Sequence, residues 1–438
     1  MAFATGKVLV KGRMNRMTEP AVTSEVSKVS HDRDRLSRKS PVYMTFHTLA
    51  IMAGGTSSVA IKQVILPFQV SLIDPIHTNT SFTLIASIGA FAGLIASPLL
   101  GALSDRTTLR FGRRRTWMLF GIMVAVIGML IMAQARTIPV LLVGEILAQI
   151  GVDTLLATVT AILPDQVPIS QRALLSACIG MAPNVGGVVG LIVVTRLTDT
   201  NNVAQGYYLL AGISVLCVTL FFLVLRERPL ARKDVPPFHL SSFLVSFVRP
   251  LRSQDFALTL ASRCFVYLGF TMLNSYLFFY LRFLHRAAPA QDVATFQMVS
   301  TATLLIVAMV AGLFARWIRI IKPYIMVGAL FMTIGFAIMA VLPLWTALLI
   351  AAVLYGAGFG CYLGRDIELA VRVLPSSQER GKDLGILYTA IFAPLILSTL
   401  IGGSILNLTH DNYALLLSIA ACSCVLAGVS VLPIKAIR

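Results

Sequence analysis

The stretch Gly101–Arg115, GALSDRTTLRFGRRR, carries five arginines and one aspartate between two long apolar runs. The runs on either side, residues 82–104 and 117–136, are each long enough to cross a bilayer, which takes about 20 residues. A basic segment between two membrane spans stays on the cytoplasmic side. The stretch therefore predicts a membrane protein and also the orientation of the two spans that flank it.

The composition of the whole chain agrees with a membrane protein that has many spans. Of the 438 residues, 57% are hydrophobic and 13% are charged, whereas a soluble domain has about 25% charged residues. The net charge of +17 would indicate nucleic-acid binding in a soluble protein. Here 29 of the 36 Lys and Arg residues fall in segments predicted to be cytoplasmic. This asymmetry follows the positive-inside rule, so we expect no nucleic-acid partner; attraction to anionic lipid headgroups is compatible with it.

Several classes of site are not supported by the sequence. The six cysteines all lie in apolar runs and lack metal-ligand spacing. No GxxxxGK[ST] phosphate loop is present, so ATP is not indicated as an energy source. We expect no metal, no cofactor and no enzymatic activity. The polar and basic residues 1–42 lack the apolar stretch of a secretory signal and are predicted to be a disordered cytoplasmic tail.

Twelve apolar runs predict an all-α membrane protein with twelve transmembrane helices in two pseudo-symmetric six-helix bundles. The predicted parts are a tail (1–42), an N-terminal bundle (43–226), a central cytoplasmic loop (227–255), a C-terminal bundle (256–433) and a cytoplasmic C-terminus (434–438). The even number of spans puts both termini on the same side of the membrane, and the basic tail indicates that this side is the cytoplasm. We expect a monomer in the plasma or inner membrane. Cytoplasmic loops of the two bundles match at Arg106 and Arg316 and at Arg172 and Arg380. Such internal repeats are typical of secondary transporters.

The sequence GALSDR followed by GRRR resembles the loop 2–3 signature of the major facilitator superfamily. Its longer form, with LPDQVPISQR (163–172) and LPSSQERGKDLG (374–385), looks most like the branch that contains sucrose transporters and glycoside–cation symporters. The resemblance covers about residues 43–433. It implies the major facilitator fold and transport of a sugar or glycoside with a cation. Melibiose-type symporters carry aspartates in spans 1 and 2, whereas the run 82–103 has no carboxylate and span 1 has Lys62. We therefore expect a proton as the coupling ion, with sodium as the alternative.

The resemblance also implies a cytoplasmic latch. In the family, the aspartate that corresponds to Asp105 faces a helix N-terminus and neighbouring arginines when the cytoplasmic side is closed. An anion at a helix N-terminus gains about 0.3–1 kcal/mol when it is exposed. The alternative is that the arginines only set topology. The expected latch residues are Gly101, Asp105, Arg106, Gly112, Arg113, Arg114, Asp165, Arg172 and Arg380.

Charged residues inside the predicted spans occur only on spans 1, 4, 7 and 10. A charge in a span is costly and usually faces a cavity where it has a function. These four helices line the central cavity in the superfamily. Two of the helices also show polar stripes at helical spacing: Glu145, Gln149 and Asp153 on span 4, and Arg263, Tyr267, Thr271 and Asn274 on span 7. The charged residues are Lys62, Glu145, Asp153, Arg263, Arg365, Asp366 and Glu368.

Depth in the membrane, at 1.5 Å per residue, divides these charges into two groups. We expect an inner group of Asp153, Arg263 and Asp366, and an outer pair of Lys62 and Glu145. Asp153 is the first candidate for the proton-carrying residue, followed by Asp366 and Glu145. The alternative is an ion pair that only holds the two halves together. The candidates for the substrate cavity are Lys62, Gln149, Arg263, Tyr267, Asn274 and Arg365.

The sequence thus predicts a secondary active transporter that moves a small organic solute by proton-coupled alternating access. From the branch resemblance, the solute is a sugar or glycoside and the direction is import. One alternative is a proton-driven exporter of amphipathic or drug-like compounds, which the 16 methionines favour slightly. Another is a receptor or scaffold on a transporter frame, which would need neither a latch nor buried charges.

Overall fold

The computed structural model describes residues 38–104, 106–109, 111–197, 202–227, 253–314, 322–373 and 392–434. Within these residues there are twelve helices at the predicted span positions. They are α1 (Pro41–Ile73), α2 (Thr78–Ser104), α3 (Arg113–Gln134), α4 (Ile138–Gln166), α5 (Ile169–Leu197), α6 (Val203–Val224), α7 (Gln254–Phe283), α8 (Pro289–Phe314), α9 (Lys322–Val341), α10 (Trp345–Val373), α11 (Phe392–Leu408) and α12 (Tyr413–Val431). Eleven are long and apolar enough to cross a membrane, and the described part of α11 is a shorter apolar helix. The predicted all-α membrane fold is confirmed.

Helix starts follow ordinary capping rules. Ser40 caps α1, because its side chain accepts a hydrogen bond from the Tyr43 N–H and Pro41 occupies the first turn. Asn202 and Asn412 cap α6 and α12 in the same way. Between such ends the chain stays helical, because a backbone in lipid has to satisfy its polar groups internally.

The first helix is interrupted near its middle. It consists of Pro41–Ala60, a π-helical turn at Ile61–Ile65, and Leu66–Ile73. Pro67 has no N–H to donate to the carbonyl of residue 63, so the regular hydrogen-bond ladder breaks there. Single π-helical turns of this kind are frequent at functional sites.

The helices pack mainly in two groups, α1–α6 and α7–α12. Within the first group α1 packs on α5 and α3 packs on α4; within the second, α9 and α8 both pack on α10. Contacts between the groups join α2 to α11, α5 to α8, and α1 to α7. This grouping is compatible with two bundles, and the boundaries at 226 and 256 stay a prediction.

The two ends of the helix assembly differ in how the groups meet. We call the end that carries the loop after α1 the Asp74 end, and the opposite end, where α3 begins, the Arg113 end. Four side-chain hydrogen bonds join α2 and its N-terminal turn to the second group at the Asp74 end. They are Asn79–Asp411 (2.6 Å), Thr80–Asn407 (3.0 Å), Thr83–Tyr276 (3.0 Å) and Ser87–Thr399 (2.7 Å). Toward the Arg113 end of α2, Leu99 and Leu103 are each 46% exposed, and a Cβ on Gly101 would meet open space.

Candidate functional site

A buried polar cluster lies where α1 faces α4. Lys62, in the π-helical turn, donates a hydrogen bond to Oε1 of Gln149. Nε2 of Gln149 donates in turn to Oδ2 of Asp153 at 2.6 Å. Glu145, two turns from Asp153 on the same helix, is 2% exposed. We call Lys62, Glu145, Gln149 and Asp153 the Lys62 cluster.

This geometry differs in one respect from the expected outer pair. Lys62 reaches Asp153 through Gln149 and forms no direct hydrogen bond to Glu145. Among the described residues, Lys62 has no ion-pair partner within 4.0 Å. The intervening amide therefore connects the predicted outer and inner residues into one chain of hydrogen bonds. The roles assigned to these residues stay predictions.

Two glycines on α2 form the third wall of the Lys62 cluster. A Cβ on Gly89 would lie 3.0 Å from Cγ of Glu145. A Cβ on Gly93 would overlap Oδ2 of Asp153 and lie 3.1 Å from the Gln149 side chain. The absence of carboxylates in this helix was evident from the sequence, but the role of its glycines was missed. Their spacing of four residues, which puts both on one helix face, was the available signal.

An aromatic column lies in the second group of helices, on α7 and α10. Phe270 stacks on Phe359 with ring centroids 4.0 Å apart and on Tyr355 at 5.7 Å. Tyr267 meets Phe359 edge-on at 5.6 Å, and Tyr362 lies parallel to Phe359 at 6.5 Å. Phe270 is half-buried, whereas the other four rings are buried. Phe270 is therefore the one ring of the column that is partly accessible.

A chain of amide hydrogen bonds connects the two groups of helices beside this column. Gln63 Nε2 donates to Asn274 Oδ1 at 2.6 Å. Asn274 Nδ2 donates to the Tyr355 hydroxyl at 2.8 Å and to the Phe270 carbonyl at 2.7 Å. Asn274 was predicted from its stripe on span 7, whereas Gln63 and Tyr355 were missed. The signal for Gln63 was an uncharged amide next to Lys62 inside an apolar span.

Two arginines inside the spans of the second group, Arg263 and Arg365, are buried against aromatic rings. Arg263 is 5% exposed, and its guanidinium lies 5.8 Å from the centroid of Tyr267. Arg365 is 1% exposed and lies 5.6 Å from the ring of Tyr324 on α9. Both contacts are cation–π interactions, which gain strength when water is excluded. The side chain of Asp366 lies outside the described residues, so the expected group of Asp153, Arg263 and Asp366 stays a prediction.

At the Arg113 end, acidic residues fix the start of α3. Oδ2 of Asp165, near the end of α4, accepts from Nη2 of Arg113 at 2.7 Å and from Nε of Arg114 at 3.0 Å. Oε2 of Glu227, just after α6, accepts from the backbone N–H groups of Arg114 (2.8 Å) and Arg115 (3.0 Å). The residue before the helix is Gly112, which has no side chain to cap it. Glu227 therefore supplies both the cap and the negative charge that a helix N-terminus favours.

The structure describes some of the predicted latch residues and not others. Asp105 and Arg380 lie outside the described residues. Arg172 donates to the carbonyls of Val167 (2.8 Å) and Pro164 (3.1 Å), which fixes the turn between α4 and α5. The described contacts of Arg113 and Asp165 join α3 to α4 within the first group. A latch between the two groups stays a prediction, and Glu227 is a residue that sequence reasoning did not include.

Comparison with known proteins places this geometry in context. The family profile described as Major Facilitator Superfamily matches residues 46–364, well over half of the 438 residues. No curated protein sequence matches the chain significantly. The match is at the level of the superfamily, so the finer resemblance to the branch of sucrose transporters and glycoside–cation symporters stays a prediction.

Three solved structures are similar to the chain over most of its length. The D-xylose–proton symporter is 16% identical, with 90% of this chain and 97% of the symporter covered and a TM-score of 0.71. The nucleoside transporter NupG is 14% identical, with 90% and 99% covered and a TM-score of 0.69. A POT family transporter in complex with a thioalcohol-conjugated peptide is 13% identical, with 88% and 94% covered and a TM-score of 0.69. At such low identities the likeness shows the fold alone.

Proposed function

The chain belongs to the major facilitator superfamily, and from this premise we propose that it imports a sugar or glycoside together with protons. It is a multi-pass membrane transporter of a small molecule and not an enzyme. In the proposal, the two helix groups rock around a central site between α1, α4, α7 and α10. Both termini lie in the cytoplasm, and the membrane is the plasma or inner membrane.

The observation that carries the proposal is the chain from Lys62 through Gln149 to Asp153. A carboxyl group buried in a membrane helix needs a counter-charge or a proton. Here the counter-charge is Lys62, which is connected to Asp153 by hydrogen bonds through the Gln149 amide. A proton on Asp153 would remove the charge that Lys62 balances and weaken this connection. The state of the proton would therefore change how strongly α1 is held to α4.

The size of the space around this cluster also favours a coupling role. The cavity beside Lys62, Glu145 and Gln149 has a volume of about 10 Å³, near the lower limit for a single water molecule. A sugar does not fit there. The cluster thus suits an ion or proton, and the solute would bind beside it.

The substrate side of the proposal rests on α7 and α10. The half-buried ring of Phe270 would offer an apolar face for a sugar ring, and the amides of Gln63 and Asn274 would offer partners for hydroxyl groups. Such a mixture of aromatic walls and a few polar groups is typical of small-molecule sites. The similar structures are a D-xylose–proton symporter, a nucleoside transporter and a transporter with a bound conjugated peptide, so the fold itself does not select among these solutes.

The proposed orientation assigns the conformational state. Because basic loops stay in the cytoplasm, the arginine-rich loop puts the Arg113 end inside and the Asp74 end outside. The hydrogen bonds between α2 and α11 then close the external side. In this proposal the structure is the inward-open state of the transport cycle.

The test is uptake into proteoliposomes. Purified protein would be given a mixture of pentoses, disaccharides, glycosides and nucleosides under an inward proton gradient, with the lumen analysed by mass spectrometry. We expect accumulation of a sugar or glycoside that an uncoupler abolishes. Accumulation that depends on a sodium gradient alone would identify sodium, and not the proton, as the coupling ion. Uptake of nucleosides and of no sugar would identify a nucleoside as the substrate.

The exporter alternative makes a different prediction in the same vesicles. No sugar would accumulate, whereas amphipathic or drug-like compounds would be expelled in response to the gradient. Failure of both assays, with folded and inserted protein, would favour the receptor or scaffold alternative.

A further inference from the structure

Oε1 of Gln63 is a buried hydrogen-bond acceptor that has no donor in the part of the chain that the structure describes. The residue is 5% exposed and sits in the π-helical turn of α1. Its Nε2 donates to Asn274, but none of the described residues donates to its Oε1. A buried unsatisfied polar atom is rare in proteins and costs free energy, so it calls for an explanation.

The identity of the unsatisfied atom follows from its partners. The Phe270 carbonyl can only accept, so the group of Asn274 that faces it at 2.7 Å is the NH₂ group. The Asn274 oxygen then faces Gln63, and the Gln63 amide must present its own NH₂ group to it. Flipping either amide would place two oxygens or two NH₂ groups together. The unsatisfied atom is therefore the oxygen.

A second glutamine on the same helix shows the contrast. Gln69 is buried like Gln63, but both of its amide atoms are satisfied. Its Oε1 accepts from the Tyr207 hydroxyl at 2.8 Å, and its Nε2 donates to the Met132 carbonyl at 2.8 Å. Gln69 thus acts as a structural link between helices, whereas Oε1 of Gln63 has no donor among the described residues.

We propose that Oε1 of Gln63 accepts a hydrogen bond from a hydroxyl or N–H group of the transported solute and makes that donor obligatory. This inference rests on the proposed function and names the residue that determines specificity in its site. A site that holds a buried acceptor rejects an analogue without the donor, because the acceptor is then left unpaired. A second solute hydroxyl next to the first one could contact Asn274, and the ring would lie along Phe270.

The experiment uses a series of monodeoxy-fluoro analogues of the sugar that wild-type vesicles take up. Fluorine is similar in size to a hydroxyl group but cannot donate a hydrogen bond. We expect one analogue of the series to lose at least about 10-fold in kcat/KM with the wild type. In Gln63→Met, the kcat/KM for the parent sugar should fall to the value for that analogue, so that the variant no longer distinguishes the two compounds.

Two further variants separate recognition from folding. Gln63→Glu loses the N–H that donates to Asn274 but keeps an acceptor oxygen for the solute. Its uptake should therefore be slower while the discrimination is kept, and it carries the test if Gln63→Met does not fold. Gln69→Met should lower thermal stability and leave the discrimination unchanged.

The outcomes distinguish the two proposals. Equal uptake of every fluoro analogue by the wild type, or discrimination that survives in Gln63→Met, would overturn the role of Gln63 while sugar transport stands. If the wild type takes up no compound of the panel, the proposed function fails and the assignment of Gln63 fails with it.

Discussion

Lys62 and Gln63 are neighbours in the chain, yet they hydrogen-bond to opposite halves of the protein. Lys62 reaches Gln149 on α4, and Gln63 reaches Asn274 on α7. The π-helical turn at Ile61–Ile65 holds both residues. The proposed proton site and the proposed solute site therefore share one helical turn, so a change at either one can move the backbone of the other.

Replacing Asp153 by Asn should separate exchange from accumulation. Asparagine keeps an oxygen that can accept the hydrogen bond from Gln149 Nε2 but cannot take up a proton. We expect counterflow of the solute across vesicles at near wild-type rates, with loss of accumulation under a proton gradient. Both are measured with the same labelled solute. Loss of counterflow as well, in protein that is folded and inserted, would assign Asp153 to solute binding or to structure.

Asp74→Asn is the matched control. The Ser81 hydroxyl and the His77 N–H hold the pKa of Asp74 below its ordinary value of 3.8. A carboxyl group with a lowered pKa is ionised above that value, so Asp74 keeps its charge from about pH 5 to 8. The pH dependence of accumulation in this range should be the same in Asp74→Asn as in the wild type. A shifted profile would mean that the loop after α1 takes part in coupling.

Gly93→Ala should impair coupling without adding any charge. The new Cβ would occupy the position of Asp153 Oδ2, so either the carboxylate rotates away from Gln149 or α2 moves. We expect at least about a 10-fold loss of gradient-driven accumulation, equivalent to about 1.4 kcal/mol. Gly212→Ala on α6, where a Cβ would meet open space, is the control and should behave as the wild type. Normal accumulation in Gly93→Ala would show that the position of the Asp153 carboxylate is not critical.

The fold was predictable because its signals are local. Each span is a continuous apolar run, and the stripe of Glu145, Gln149 and Asp153 repeats every four residues on one helix. Those features depend on neighbouring residues of the chain and on the helical period. The span count and the charged residues of α4 could therefore be predicted from the sequence alone.

The partners across helices were not predictable in this way. Gln63 and Asn274 are 211 residues apart, and nothing in the sequence near Gln63 specifies the residue it meets. Gly93 carries no chemical group of its own, so its importance follows only from the carboxylate packed against it. Glu227 caps α3 from 113 residues away. Such contacts depend on how the helices pack, which a single sequence does not reveal.

Gly403→Ala should prevent closure at the Asp74 end. A Cβ there would overlap Oγ1 of Thr83, and the overlap lies on the α2–α11 contact that joins the halves. Spin labels on Ile76→Cys and Leu408→Cys, at positions 84% and 81% exposed, in a variant whose native cysteines are replaced, report the separation of the loop before α2 from the end of α11. We expect a population at longer distance in Gly403→Ala that the wild type lacks.

The control for this measurement is Gly312→Ala on α8, where a Cβ would meet open space. It should leave the distance distribution unchanged. An unchanged distribution in Gly403→Ala would mean that Thr83 turns aside and that this contact does not limit closure. In the proposed cycle the two ends open and close in alternation. Gly403→Ala should therefore also lower the rate of solute counterflow.

Removing the cap of α3 should destabilise the first helix group. Glu227→Ala deletes the acceptor of the Arg114 and Arg115 N–H groups, and loss of an N-cap costs about 1 kcal/mol. Glu227→Gln keeps an acceptor oxygen and loses only the charge, so its effect should be smaller and should shrink at high salt. The readout is the apparent melting temperature of detergent-solubilised protein, with Gly212→Ala as a neutral reference. Equal losses in the two Glu227 variants that both disappear at high salt would assign the effect to the charge of Glu227 and not to capping.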